Sequence, residues 1–236
     1  MIAIRILTVL LIAIPLLYAA EALDCPELGK FDPDDWRQIE AAFAQAPVLE
    51  FIQPWRNAKE AGFRPGSVRI GWRGDRLLYH ADLTDDSLVS RASGRNQPLW
   101  QLGDVLELFA GVSGNTGYIE YHHDPQNHRL QLRFADAAAF SGVKNLDGLL
   151  RLALKDDTAV SRTRRTARGW QVYGEIPAAS LPGGMGPLKG KTWQINFGRY
   201  DYRDAKSEPV LSATSPLTKP SYHRRNEWRL IRFSKP

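Results

Sequence analysis

The chain has 236 residues, 43% of them hydrophobic, and a formal net charge of +5 at neutral pH. That length allows one undivided β-domain with a full core, and the single cysteine excludes an intramolecular disulfide framework. The positive excess clusters in SRTRRTARG, around Arg162, Arg164, Arg165 and Arg168. No aromatics interleave with these arginines and no nucleic-acid motif accompanies them, so a solvated hairpin tip accounts for the run and nucleic acid is not an expected partner.

Residues 1–22, MIAIRILTVLLIAIPLLYAAEA, carry one arginine near the start, an apolar run broken by Pro15, and Ala20 and Ala22 at A-x-A offsets. The pattern predicts a secretory signal peptide cut after Ala22, with an uncleaved anchor as the alternative. The run is shorter than the roughly twenty apolar residues of a comfortable membrane span, so no transmembrane segment is expected after cleavage. The expected location is therefore the periplasm or the exterior. Residues 23–46 are expected to form an N-terminal arm and one helix, and residues 47–236 the main domain. Cys25 follows Asp24, which is wrong for lipid attachment, and reads as a free thiol in a loose arm.

The helix is signalled by FDPDDWRQIEAAFAQAP. Asp32 can cap it, Pro33 suits the first turn, and Asp34 and Asp35 complement the positive helix end. Trp36, Ile39 and Phe43 lie near one face, and Pro47 ends the run, so the helix should cover the domain. After Pro47 the hydrophobic period becomes alternating. Strands are predicted over 48–51, 67–72, 77–83, 105–111, 118–123, 129–134, 149–154, 170–176, 193–200 and 227–233, with turns at RGD, SGNTG and DPQN between several of them. Many short strands and one clear helix argue for an all-β fold, an antiparallel β-sandwich.

The alternation carries functional information. In DVLELFAG, Glu107 shares a strand face with Val105 and Phe109, where an isolated charge is costly unless it is paired or solvated. In YIEYHH, Tyr118, Glu120 and His122 share a face. In RLQLRF, Leu130, Leu132 and Phe134 oppose Arg129, Gln131 and Arg133. In WQINFG, Gln194 and Asn196 oppose Trp193, Ile195 and Phe197. Neighbouring strands of this kind would line the non-core side of a sheet with carboxylate, amide, guanidinium and aromatic groups, although any half-exposed antiparallel sheet alternates in this way. Trp100, just ahead of the Glu107 strand, has a flat apolar ring suited to the C–H-rich face of a pyranose.

Other constellations are weaker. Asp104 and Glu107 have odd spacing and point to opposite faces, which opposes a catalytic carboxylate pair. His122, His123 and His128 with Asp124 read as exposed histidines at a hairpin end rather than a transition-metal site. Asp82, Asp85 and Asp86 lack the fixed spacing of a calcium loop. No nucleophile elbow, phosphate loop, Cys-x-x-Cys motif or zinc-protease helix is present, so the chain is not expected to be an enzyme.

From about Pro47 to Phe233 the order of motifs resembles the family 9 carbohydrate-binding modules (CBM9) and the related DOMON-like sandwiches. The matching segments are VRIGWRGDRLLYHADLTD, WQLGDVLELFAG with YIEY, GWQVYGEIPAASL, WQINFGRYDY and SATSPLTKPSYHRRNEWRLIRF. The resemblance implies a β-sandwich that binds an oligosaccharide or polysaccharide end without cleaving it, in some members with structural calcium. It further implies two aromatic rings clamping the sugar and polar side chains holding its hydroxyls. Trp100 matches the first ring, Glu107 the following glutamate, Gln194 or Asn196 an amide, and Arg133 an arginine. The second ring would fall near Ser212-Ala213-Thr214-Ser215-Pro216, which has no aromatic residue; Tyr200, Tyr202 or Tyr222 could replace it. The expected function is an exported, non-catalytic carbohydrate-binding domain assisting glycoside hydrolysis or carbohydrate catabolism. Two alternatives stand beside it: a haem b-binding electron carrier ligated through Met185 in PGGMGP, and a structural or partner-binding envelope protein that has lost the sugar. A buried Glu107–Arg133 pair would make the Glu107 strand purely structural.

Overall fold

The computed structural model describes residues 21–155 and 159–234; most of the predicted signal segment lies outside the described residues. In chain order the strands are β1 (Leu23–Pro26), β2 (Val48–Glu50), β3 (Gly66–Arg73), β4 (Arg76–Thr84), β5 (Val105–Val112), β6 (Tyr118–His123), β7 (Arg129–Phe134), β8 (Val160–Thr166), β9 (Gly169–Pro177), β10 (Thr192–Asp201), β11 (Val210–Ala213) and β12 (Arg229–Ser234). One sheet runs β1-β12-β10-β5-β6-β7, with β11 also paired to β10, and the other runs β2-β3-β4-β9-β8. Alternate residues of both sheets interdigitate between them, among them Val68, Ile70, Leu77, Leu106, Leu108, Ala110, Ile195 and Phe197. The fold is an all-β sandwich, as the alternation predicts. Among the described residues no helix is long and apolar enough to cross a membrane.

The arm is not loose. β1 pairs in parallel with β12, setting Cys25 opposite Phe233. Cys25 is fully buried in the inner core, and burial pushes its thiol well above the usual range. The segment LDCP is too short to read as a strand from its own pattern; the free edge of β12 captures it.

The helix α1 (Trp36–Phe43) begins later than the sequence pattern implies. Asp35 is its cap, accepting from the Arg37 N–H at 2.9 Å, while Asp32 accepts from the Asp34 N–H in the preceding turn. Ile39 and Phe43 pack on Leu78 and Tyr173, so α1 covers the outer face of the five-stranded sheet. The arginine run is mostly strand rather than hairpin tip. It forms the edge strand β8, from which Arg162 reaches Asp34 and Arg164 reaches Glu40, holding the helix down. The Arg164 guanidinium also lies 4.6 Å from the Trp36 ring centre.

The predicted strand over 149–154 is absent. Three short helices, α2 (Leu99–Leu102), α3 (Ala137–Ser141) and α4 (Leu146–Leu150), lie in this half of the molecule instead. Asn145 caps α4 by accepting from the Gly148 N–H at 2.8 Å, and this local bond prevails over the apolar run that follows. These helices and the 214–228 segment cover the outer face of the seven-stranded sheet. Val105, Phe109, Leu130, Leu132 and Phe134 pack there against Leu99, Leu217, Tyr222 and Trp228 as a second core. The sheet is buried on both faces, so its non-core side is not an open polar surface.

Candidate functional site

Glu107 stands on the covered face of β5, with His122 directly opposite it on β6. Glu120, two residues before His122, shares that face through the strand period. The His122 Nδ1 lies 3.2 Å from a Glu107 carboxylate oxygen and its Nε2 lies 3.2 Å from a Glu120 oxygen. The other Glu120 oxygen lies 3.1 Å from His223 Nδ1, which the Tyr118 hydroxyl also meets at 3.2 Å. Glu107 and Glu120 are each 3% exposed. His122 and His123 are buried as well, not exposed at a hairpin end; His123 bonds the Tyr79 hydroxyl inside the sandwich. His128 does belong to the turn, where Asp124 accepts from its N–H at 2.7 Å.

The carboxylates of this network differ in protonation. Burial pushes Glu107 up to about 7, against the opposing effect of His122. Burial acts on Glu120 too, but His122 and His223 together outweigh it and hold Glu120 at about 2. Burial works against a charged His122, and the two flanking glutamates outweigh it and raise the imidazole above its usual value. The imidazolium of His122 therefore sits between one firmly ionised carboxylate and one that titrates near neutrality. Glu107 is paired, but with histidine.

Arg133 does not join Glu107. It pairs with Ile119 in the β6–β7 register, on the opposite side of the sheet, and its side chain is exposed. The covering helices turn the outer face into a core, so Leu130, Leu132 and Phe134 take that face and the arginines take the other. Asn196 does share the Glu107 face, opposite Phe109. It is fully buried, and its side-chain oxygen accepts from the Ser215 N–H at 3.1 Å, tying down the covering segment. Gln194 lies opposite Gly111, four residues along β5 from Glu107, which is about 13 Å of strand. There it contacts Arg225, whose guanidinium donates to Gly117 O at 2.7 Å and Val112 O at 2.8 Å. A Cβ at Gly111 would come within 2.5 Å of that guanidinium, so a larger residue there would have to displace Arg225.

Trp100, on α2, is half-buried, and its ring meets His122 edge-on with centroids 5.6 Å apart. It also lines an open groove of about 540 Å³ with Gln101, Phe140, Ser141, Lys144, Asn145 and Leu149. Phe140, 37% exposed, stacks one ring face on His223 at 4.0 Å and 21°. The chain Trp100–His122–Glu120–His223–Phe140 thus supports two aromatic rings of one groove from a single buried network. The tyrosines offered as a second ring have structural work: Tyr222 donates to Arg199 O at 2.8 Å, Tyr202 donates to Trp100 O at 2.6 Å, and Tyr200 meets Tyr222 edge-on. Phe140 is not marked by the sequence pattern because it falls between the segments YIEY and GWQVYGEIPAASL that carry the family resemblance. The readable signal is local: Asp136 caps α3 by accepting from the Ala139 N–H at 2.9 Å, which sets the helix that presents Phe140.

Among the described residues, neither the cluster of acids close enough to share a metal ion nor the loop of Met185 is well fitted to calcium or haem. Asp85, Asp104 and Asp201 offer oxygens within 4.8 Å of one another. Arg64 lies 2.6 Å from Asp201 and 3.3 Å from Asp85, and Arg199 lies 3.4 Å from Asp85 and 3.2 Å from Asp201. Asp104 accepts from the Val89 and Tyr202 N–H groups. Two guanidiniums already compensate the acids, and a calcium ion would have to displace them to gather its six to eight oxygens. Met185 is 72% exposed, without the enclosed apolar surroundings that hold a haem.

No family model matches the sequence. In fold, the chain is similar to a Bacteroides uniformis protein provisionally described as carbohydrate-binding, with a TM-score of 0.70 at 16% identity, covering 91% of this chain and 100% of that one. It is also similar to a CBM9 module from Caldicellulosiruptor kristjanssonii in complex with cellotriose, with a TM-score of 0.62 at 12% identity over 92% of this chain and 95% of the module. A glucose complex of a CBM9 module from the same organism gives a TM-score of 0.61 at 11% identity, covering 92% of this chain and 97% of that one. The chain therefore has a CBM9-like β-sandwich fold. Over 103 residues, 44% of the chain, it is 28% identical to acetyl-coenzyme A synthetase from Cronobacter sakazakii and 29% to that from Escherichia coli K12. The match spans only 14% of those enzymes' length.

Proposed function

We propose that the protein is an exported, non-catalytic carbohydrate-binding domain whose site is the groove between Trp100 and Phe140. The observation that carries this reading is two aromatic rings lining one groove of about 540 Å³. The apolar face of a pyranose would lie against these rings, with the side-chain amides of Gln101 and Asn145 beside its hydroxyls. Of the residues the family resemblance implies, Trp100 keeps a ligand role. Glu107 and Asn196 become supports beneath the site, while Arg133 and Gln194 lie away from it. A larger cleft of about 770 Å³ is less suited: its single ring, Phe63, is already covered by Lys59. The predicted signal segment supports export, and solved neighbours in complex with cellotriose and glucose support sugar as the ligand class. Assistance to carbohydrate breakdown follows as the role of such a domain.

The test is a glycan screen that includes free reducing sugars, with and without calcium, on wild-type protein and on Trp100→Ala and Phe140→Ala. Binding by wild type and its loss in both variants, with Phe140→Ala melting as wild type does, is the expected result. Silence of wild type across the screen, with a protein partner co-purifying, would replace this reading with that of a partner-binding envelope protein.

A further inference from the structure

Charge in the groove identifies the kind of sugar. Of the described residues lining it, Lys144 alone is charged. Its side chain is exposed, and among the described residues it forms no ion pair or hydrogen bond. Among the described residues no carboxylate lines the groove. The acids beneath it, Glu107 and Glu120, are buried and engaged by His122 and His223. An ionised carboxylate is acceptor-only and suits a pair of neutral sugar hydroxyls, whereas a lysine is a three-donor cation with no acceptor. Beside the neutral amides of Gln101 and Asn145, the groove therefore offers a positive charge and no ionised acceptor among the described residues. Asp147, on the same short helix α4, is not among the lining residues.

We infer that the groove selects anionic sugars, with Lys144 pairing to the carboxylate of a uronic acid residue stacked on Trp100 or Phe140. The inference rests on the reading of this groove as a carbohydrate site. A matched pair of ligands tests it: titration calorimetry with cellotriose and with its C6-oxidised counterpart, cellotriouronate, at low and at high ionic strength. The uronate is expected to bind roughly fivefold more tightly at low salt, the yield of one partly exposed ion pair. That advantage should shrink as salt rises. In Lys144→Gln the ratio of the two affinities should fall to about one, and in Lys144→Glu it should invert, by the sign of the Coulomb interaction. Equal affinities in wild type, or a preference that survives Lys144→Gln, would overturn the selection of anionic sugars and leave the carbohydrate site standing. Binding of neither trimer, with silence across the glycan screen, would overturn both.

Discussion

His223 stacks on Phe140 with ring centroids 4.0 Å apart, and its Nδ1 lies 3.1 Å from the Glu120 carboxylate. One imidazole thus connects an exposed ring of the groove to the buried charge network of the sheet. His223→Leu fills the space with an aliphatic side chain but strips Glu120 of one of its two imidazole neighbours and Phe140 of its stacking partner. We expect a loss of about 1–3 kcal/mol in urea unfolding, the typical penalty for a buried polar group left short of a partner. Sugar affinity should fall as well, because Phe140 loses the surface that orients it. Unchanged stability would show that His122 alone compensates Glu120.

Glu107 is a support, so its substitutions should read in stability rather than in binding. Burial keeps the Glu107 proton in place below about 7, and glutamine is a close mimic of the protonated form. At about pH 4.5 Glu107→Gln should therefore unfold within about 1 kcal/mol of wild type, whereas Glu107→Ala leaves both a cavity and a His122 short of a partner and should cost about 2–4 kcal/mol. Sugar affinity in Glu107→Gln should match wild type. A glutamine variant that folds but no longer binds would return Glu107 to the list of ligand contacts.

Stability should pass through a maximum on the acid side of neutrality. Burial lowers His80 to about 4 and His123 to about 3, so the unfolded chain takes up these protons first and stability falls as pH drops below 6.5. Glu107 acts in the other direction: the folded state keeps its proton up to about 7, so stability is lost as pH rises from about 4.5 through 7. His122, raised by its two glutamates, adds a further loss above 6.5. The two directions oppose one another between 4.5 and 6.5. Denaturant midpoints across this range should show the maximum, and the stability of Glu107→Gln relative to wild type should climb between pH 4.5 and 7. A flat difference would mean that Glu107 is ionised in the folded state throughout.

The sandwich is legible in the sequence because alternation and turn chemistry are local signals. Val105–Val112, Tyr118–His123, Arg129–Phe134 and Thr192–Asp201 all form close to their predicted bounds. Alternation does not say which face is covered, and that is where the reading of the site departs from the structure. Arg133 and Leu132 obey the expected period, yet the second core under α3 and α4 reverses which of them shares a face with Glu107. Burial of His122 and exposure of Phe140 follow from the same cover. The helices of that cover have four or five residues each, too short to show a helical period.

Arg199 stands where a cation would otherwise be needed. It is fully buried, donates to Thr84 O at 2.7 Å, and lies 3.4 Å from Asp85 and 3.2 Å from Asp201. Arg64 lies 2.6 Å from Asp201 on the other side. If the two guanidiniums are the counterions of Asp85, Asp104 and Asp201, then neither EDTA nor millimolar calcium should move the melting temperature. Arg199→Met should cost about 3–5 kcal/mol, because it leaves buried carboxylates undercompensated in a site where attraction is otherwise strong. That variant supplies the sharper reading. Removing the arginine frees oxygens of Asp85 and Asp201, so calcium should restore part of the lost melting temperature in Arg199→Met while doing nothing to wild type. A rise with calcium in wild type would mean instead that the acids gather around a metal and that the arginines are secondary to it.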